Sequence, residues 1–118
     1  MAKLTDQELH NLAMNIVGKE LEEQGYEFLG INSEFQKDPQ FVALKDKKLH
    51  FVIVRAIEYP HSPKDYDSAF LKSIRDHAEK FKARTFYAGV GLANSKDYEK
   101  PISQGEEYVV NYEGWQEI

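Results

Sequence analysis

The stretch LHFVIVRA, residues 49–56, decides the fold of this chain. It is almost continuously apolar and rich in β-branched residues, a pattern typical of a strand that is buried on both faces. One arginine, Arg55, lies close to its end. The stretch therefore predicts a central strand of a sheet with a polar side chain near the end of that strand.

The residues before this stretch predict a helix and two strands. The sequence TDQE at residues 5–8 is a capping box, which starts a helix, and Gly25 is suited to end it in the left-handed conformation. Strands are predicted at residues 26–31 and 40–44. The charged sequence KDKK at residues 45–48 separates the second strand from the central one, so we expect an antiparallel hairpin.

The residues after the central strand predict a loop, a helix and two strands. Prolines break any pattern between residues 57 and 67, and the helix begins near Asp65 or Asp67. Its expected apolar face consists of Phe70, Leu71, Ile74, Ala78 and Phe81. Strands follow at residues 85–92 and 107–112. Two glycines in the first of them, Gly89 and Gly91, allow another part of the backbone to approach closely.

The order αβββαββ predicts an α+β (mixed α/β) fold. We expect one domain over residues 1–118, with a central mixed sheet of about five strands flanked by two helices. No apolar run approaches the roughly 20 residues that cross a bilayer, so no membrane association and a cytoplasmic location are expected. The chain has no cysteine, and its four histidines lack the spacing of metal ligands. We therefore predict no cofactor.

This layout resembles the restriction-endonuclease-like, PD-(D/E)XK nuclease fold, and most nearly the small bacterial proteins of the YraN type. The resemblance lies in Gly25-Tyr26 after a helix, the strand at residues 40–44, the KDKK turn and the strand at residues 49–55. It covers roughly residues 10 to 95. The resemblance implies a fold that was built to hold a catalytic Mg²⁺ ion.

The residues that such nucleases use are not kept. By this resemblance the metal-binding aspartate falls at Gln40, the glutamate at Ile53 and the lysine at Arg55. Glutamine is a weaker ligand, isoleucine is none, and arginine stays protonated. Asp38 lies two residues before Gln40, but a single carboxylate holds magnesium poorly. We therefore expect a degenerate active site and no enzyme activity.

The first functional hypothesis is a non-catalytic nuclease-like domain that acts as a binding or structural module through protein contacts. Tyr108, Val110 and Tyr112 alternate onto one face of the last strand, and Trp115 follows. Acidic residues surround them, which disfavours a phosphate-bearing ligand there. Tyr108, Tyr112 and Trp115 are therefore the candidate protein interface, with a homodimer as one form of it. Aromatic residues in this pattern also commonly pack beneath a helix.

The second hypothesis is nucleic-acid binding without cleavage. Residues 41–84 hold ten basic and six acidic side chains, although the whole chain has a net charge of −5. The candidate phosphate contacts are Lys45, Lys47, Lys48, Lys64, Lys72 and Arg75, with Arg55 beside them. Charge compensation within a small domain explains the same distribution.

The third hypothesis is an enzyme of an unrelated type. It uses a candidate binding cleft between Gln40, Arg55 and the loop that carries His61, where Arg55 would hold a carboxylate or phosphate. Ser62 and Asp65 lie beside His61, but neighbours in sequence seldom form a catalytic triad. The hypothesis fails if Arg55 is paired with a structural acid, such as Glu34 or Glu58, and shut off from solvent.

Overall fold

A computed structural model describes residues 2–34 and 37–118 of the chain. The elements in order are α1 (Asp6–Glu23), β1 (Glu27–Ile31), β2 (Phe41–Lys45), β3 (Lys48–Glu58), α2 (Ser68–Glu79), β4 (Arg84–Asn94), β5 (Tyr108–Asn111) and β6 (Gln116–Glu117). The α+β class, the two helices and the mixed sheet are confirmed. The two-residue strand β6 is an addition that the sequence pattern did not predict.

Helix α1 begins and ends where its capping residues place it. The Thr5 hydroxyl accepts a hydrogen bond from the Glu8 amide at 3.1 Å, and the Thr5 amide donates to the Glu8 carboxylate at 3.0 Å. At the other end Gly25 has φ of 86°, and the Tyr26 amide donates to the Leu21 carbonyl. The buried side of α1 covers one face of the sheet.

The sheet has the strand order β1-β2-β3-β4-β5, and β6 pairs with β4. Strands β1, β2 and β3 are antiparallel neighbours, β3 and β4 are parallel, and β5 and β6 are antiparallel to β4. The predicted hairpin is confirmed, with Asp46 and Lys47 at φ of 53° and 64° in its two-residue turn. Central strand β3 packs Val52 and Val54 with α1, and Ile53 with Leu71 of α2.

Helix α2 begins after Asp67, whose carboxylate accepts a hydrogen bond from the Phe70 amide. Leu71 and Ala78 are buried against the sheet. The expectation that Phe70 and Phe81 share this apolar face is corrected, because their exposed fractions are 41% and 56%. The Phe70 ring lies beside the Arg55 guanidinium, and Phe81 follows the end of the helix.

The loop between β3 and α2 lies directly on strand β4. A methyl group at Gly89 would come within 2.0 Å of the Pro63 carbonyl oxygen, and one at Gly91 within 2.8 Å of the Pro63 ring. Both positions therefore need glycine for the reason that the sequence predicted, which is the close approach of another backbone segment.

The first residues of the described chain hold the loop between β4 and β5. The Leu4 amide donates to the Ile102 carbonyl, and the Gln104 amide donates to the Ala2 carbonyl, each at 2.9 Å. A β-bridge between Lys3 and Ser103 lies between these two bonds. This N-terminal segment and the loop therefore form one unit.

Neither helix combines the length and the apolar character that crossing a membrane requires, as far as the described residues go.

Candidate functional site

The candidate site lies where β3 continues past the start of β2. Strand β2 begins at Phe41, whose partner in β3 is Val52, and β3 runs on to Glu58. Arg55 lies on this extension. Its two terminal nitrogens donate to the two carboxylate oxygens of Asp38, each at 2.7 Å. The side chains are 23% and 8% exposed, so the Asp38–Arg55 pair is largely removed from water.

Gln40 links the Asp38–Arg55 pair to the backbone of β3. Its side chain is wholly buried, and its carbonyl oxygen accepts a hydrogen bond from the Val54 amide at 2.6 Å. Its amide nitrogen donates to the Lys37 carbonyl at 3.1 Å and to the Asp38 carboxylate at 2.8 Å. Gln40 therefore satisfies two backbone groups and fixes the orientation of the carboxylate that binds Arg55.

Burial and the charges of the pair together shift the pKa values of Asp38 and His10. Burial raises the pKa of the Asp38 carboxyl, but the hydrogen bonds from Arg55 and Gln40 outweigh burial and hold that pKa below its ordinary value. His10 of α1 is 1% exposed. Burial, and then the positive charge of Arg55, lower its pKa. The site therefore contains a charged Asp38–Arg55 pair beside a neutral imidazole at neutral pH.

A small cavity of about 180 Å³ lies beside Arg55 on the α2 side of the sheet. Its lining includes Ile53, Asp65, Phe70 and Tyr87. The Tyr87 hydroxyl donates to the Pro63 carbonyl at 2.8 Å, and burial raises its pKa, so it stays protonated. Both terminal nitrogens of Arg55 already donate to Asp38, so the cavity has few hydrogen-bond donors left for a substrate anion.

The positions that the nuclease resemblance assigns to metal ligands do not form a cation site. Ile53 is fully buried in the core beneath α2, Gln40 is occupied by backbone partners, and Asp38 is bound by Arg55. The part of the chain that the structure describes contains no cluster of three histidine or acidic residues that would hold a metal ion.

His61 does not belong to this site, which corrects the predicted cleft of Gln40, Arg55 and His61. The structure brings Gln40 and Arg55 together, but His61 is exposed and lines a second cavity of about 360 Å³ with Tyr59 and Tyr98. The His61 amide donates to the Glu58 carbonyl in a tight turn, and it is Asp65 and Tyr66, later in the same loop, that line the cavity beside Arg55. The Ser62 hydroxyl accepts from the Lys64 amide, as in an ordinary turn.

Exposed apolar side chains lie on both sides of edge strand β5. Tyr108 and Val110 share the sheet face of Leu92, which α1 covers, and Tyr59 and Tyr98 border a groove on the opposite face. The exposed fractions are 49% for Tyr59, 50% for Tyr98, 38% for Tyr108 and 44% for Val110. The Tyr59 and Tyr98 rings meet edge to face with their centroids 5.4 Å apart. We call these four residues the β5 surface. The second cavity opens beside it and is lined mainly by apolar atoms of β3, β4 and β5.

Two of the three predicted interface residues pack inward instead, which corrects that prediction. Tyr112 and Trp115 pack against the core beneath α1, and the Trp115 ring meets the Tyr26 ring at 5.6 Å. Burial, and then the charge of Glu20, raise the pKa of the Tyr112 hydroxyl. Tyr108 alone of the three is exposed. The packing of these rings gives the chain after β5 its structural role.

The predicted phosphate contacts divide between two places. Lys72 and Arg75 lie on α2, where Arg75 is near Asp76 and Glu79, and Lys64 pairs with Glu113. The hairpin lysines lie at the opposite end of the strands. The parallel pairing of β3 with β4 brings the turn after α2 to the same end. We call the resulting group the basic end; it comprises Lys45, Lys47, Lys48, Lys80 and Lys82.

Sequence reasoning missed Asp38 as the partner of Arg55 and missed Tyr59 and Tyr98 altogether. Asp38 and Arg55 are seventeen positions apart and share no periodic pattern. Tyr59 and Tyr98 lie in loops after different strands, and the register of β3 with β4 brings them together. The irregular loop at residues 57–67 was the only signal in the sequence for this part of the surface.

One family model, described as Domain of unknown function (DUF8840), matches residues 7–118. No curated protein and no solved structure matches the chain.

Proposed function

The chain belongs to the DUF8840 family, and on the basis of its surfaces we propose that it is a non-catalytic binding module on a nuclease-like scaffold. It acts through protein contacts, and its contact region is the β5 surface. The observation that carries the proposal is the set of four exposed apolar side chains on the two faces of the sheet beside an edge strand.

Such a surface is costly for a chain that has no partner. Large exposed apolar patches mark interaction sites, and edge strands offer unpaired backbone groups that other chains can bind. Aromatic residues are enriched among the side chains that dominate interface energies. Tyr59 and Tyr98 also support each other through their ring contact, so they are partly ordered before any partner binds.

The absence of catalysis is supported by the site at Arg55. A metal-dependent nuclease needs at least two carboxylates around an open cation position. Here Gln40 and Ile53 take the relevant places, and Arg55 forms a bidentate bond with Asp38. The same bond argues against an enzyme of another type that uses Arg55 to hold a substrate carboxylate or phosphate.

A photo-crosslinking experiment in the source cells tests the proposal. A benzophenone amino acid replaces Tyr98 in one variant and Phe81, an exposed aromatic residue at the other end of the molecule, in a matched control. We expect protein adducts from position 98 that disappear when Val110→Asp is added, and none above background from position 81. Equal adducts at both positions, or none at position 98, contradict a specific protein contact.

The basic end supports a second candidate function, nucleic-acid binding without cleavage. Phe81 is exposed between Lys80 and Lys82 and lies 6.1 Å from the Phe51 ring, close to the hairpin. Lysines around an exposed ring suit single-stranded nucleic acid. The negative end of the α2 dipole points to the same region and opposes phosphate, so this candidate ranks second.

Binding to a single strand and to a duplex at two salt concentrations tests the second candidate. If it is right, affinity falls steeply with salt, and Lys47→Glu with Lys82→Glu abolishes binding. Lys19→Glu, at an exposed position of α1, is the control and should leave binding nearly unchanged. Failure to bind at low salt, or equal loss with the control, removes this candidate.

A further inference from the structure

We propose that the β5 surface receives an extended, basic segment of another protein, which adds a strand to the edge of the sheet at β5. This inference rests on the proposed function and names the chemistry of the partner. It follows from three observations: the direction of the β5 backbone groups, the shape of the adjoining groove and the distribution of charge.

The backbone of β5 presents hydrogen-bonding groups to its outer side. The Ser95 amide donates to the Glu107 carbonyl, so Glu107 faces β4. Backbone groups alternate in direction along a strand. The N–H and C=O groups of Tyr108 and Val110 therefore point away from β4. Because β5 is the last strand in the order of the sheet, these groups lie at its edge. An extended segment can pair with them as it would with any edge strand.

The groove beside β5 fits the side chains of such a segment. It has a volume of about 360 Å³, which lies within the roughly 300–1,000 Å³ range of ligand pockets. Ile57, Gly91, Ala93 and Val109 contribute to its lining, and the small residues of β4 leave a depression between the neighbouring strands. The Tyr59–Tyr98 ring pair borders it. Alternate apolar side chains of an added strand would enter this groove.

The charge around the groove selects a basic partner. Glu106 and Glu107 directly precede β5, and the loop around Tyr98 holds Asp97 and Glu99 beside Lys96 and Lys100, so these six residues carry a net charge of −2 (four acidic, two basic). Residues 85–118 hold six acidic and only two basic side chains. Lysine or arginine at the ends of the added strand would meet these carboxylates, which speeds association and disfavours acidic partners.

The same charges disfavour a second copy of this chain as the occupant. An antiparallel pairing of β5 with β5 of another copy would bring Glu106 and Glu107 of one molecule toward the residues that follow β5 in the other. Glu113 among them is paired with Lys64, but residues 85–118 of each copy still hold six acidic and only two basic side chains. Like charges placed opposite each other across paired strands are destabilising. The partner is therefore a different protein.

A peptide-display selection on the full chain tests the inference. The probe is a random library of peptides of about 12 residues, first depleted on the Val110→Asp variant. We expect enriched peptides to combine alternating apolar residues with lysine or arginine. Their affinity should fall about tenfold when sodium chloride rises from about 50 to about 500 mM, because salt screens exposed charges.

Two variants at one position separate strand addition from other modes of binding. Val110→Pro removes the outward N–H group, and we expect it to weaken the selected peptides about tenfold. Val110→Thr keeps that group and a similar shape, and should change affinity by less than about threefold. Unchanged thermal melting of both variants shows that the edge strand is still folded.

Three results would overturn the inference: peptides without basic residues, equal effects of the two Val110 variants, or no enriched peptides. A stable dimer that Val110→Asp dissociates would also overturn it, because the occupant would then be a second copy. Failure here is distinct from failure of the proposed function. Protein adducts at position 98 in cells would still support protein binding, whereas the loss of those adducts would remove both.

Discussion

The two carboxylate oxygens of Asp38 accept hydrogen bonds from the two terminal nitrogens of Arg55, both at 2.7 Å. Replacing Arg55 by methionine leaves the Asp38 charge largely buried with only Gln40 as a donor. We therefore expect Arg55→Met to lower the free energy of unfolding by about 3 kcal/mol, as measured by urea titration.

The control for this prediction is a double-mutant cycle with Asp38→Asn. The double variant should be more stable than Arg55→Met alone, because it removes the buried uncompensated charge. Arg55→Lys keeps the charge but loses the bidentate geometry, so it should fall between the wild type and Arg55→Met. Additive effects of the two single substitutions would contradict a coupled pair.

Gln40 should tolerate no apolar replacement. Gln40→Leu leaves the Val54 amide and the Lys37 carbonyl without the partners that they have now. A buried unsatisfied polar group costs on the order of 1–3 kcal/mol, and since the Val54 amide is such a group, the variant should lose about 1–3 kcal/mol of unfolding free energy. Gln116→Leu, on the exposed strand β6, is the matched control and should stay within about 0.5 kcal/mol. Similar losses in both would contradict the role assigned to Gln40.

Gly89 should be more sensitive to substitution than Gly30, although both lie in strands. A methyl group at Gly89 meets the Pro63 carbonyl oxygen at 2.0 Å, whereas one at Gly30 meets Val42 at an ordinary 3.8 Å. We expect Gly89→Ala to lower stability by about 1–3 kcal/mol through displacement of the loop. Gly30→Ala should be nearly neutral, and thermal melting distinguishes the two. Equal melting temperatures would show that the loop moves freely.

Stability should fall on acidification in two stages. Burial lowers the pKa of His10 and of His50 below the ordinary 6.5, so the unfolded chain binds more protons than the folded one below that value. Their contribution is therefore complete above about pH 6.5 and is lost as the pH falls toward the folded values. The Asp38 contribution is lost next, below the ordinary 3.8 of its carboxyl group.

Urea titrations at about pH 7.5, 5.5 and 3 measure this dependence. His61→Gln, a histidine substitution at an exposed position, is measured alongside as the control variant. Stability that stays level from neutral pH to about pH 5 would contradict the assignment of buried neutral histidines.

Magnesium should neither stabilise the chain nor support DNA cleavage. A ligand that binds the folded state raises the melting temperature, but one carboxylate already bound to Arg55 is a poor hard-cation site. We expect the same melting temperature with about 5 mM MgCl₂ and with chelator, and intact plasmid DNA in both. Scission that stops when chelator is added would contradict the non-catalytic proposal.

The sequence was sufficient for the main elements of the fold because each carries its own local signal. The capping box at Thr5 and the left-handed Gly25 fix α1, and the spacing around KDKK fixes the hairpin. Strand β6 has only two residues, Gln116 and Glu117, and depends on pairing with Phe86 and Tyr87 of β4. A strand that is defined only by its partner leaves no pattern in its own residues.

The candidate sites were less predictable because they depend on contacts between distant segments. Arg55 was identified as the polar end of the central strand, but its partner Asp38 was not, since the ion pair depends on how the chain enters β2. The alternation of aromatic side chains along the last strand does not show which face of the sheet a helix covers. Tyr112 and Trp115 were therefore assigned to an interface, although α1 covers them.

The hydrogen bonds that tie Ala2 and Leu4 to Gln104 and Ile102 have a practical consequence for handling this protein. The loop that they hold also carries Tyr98, the outer wall of the groove. A purification tag, a fusion or proteolytic removal of the residues before Thr5 would disturb these hydrogen bonds. The loop that carries Tyr98, and with it the groove, would then change. Assays of partner capture should therefore keep residues 2–4 unchanged and place any tag away from them.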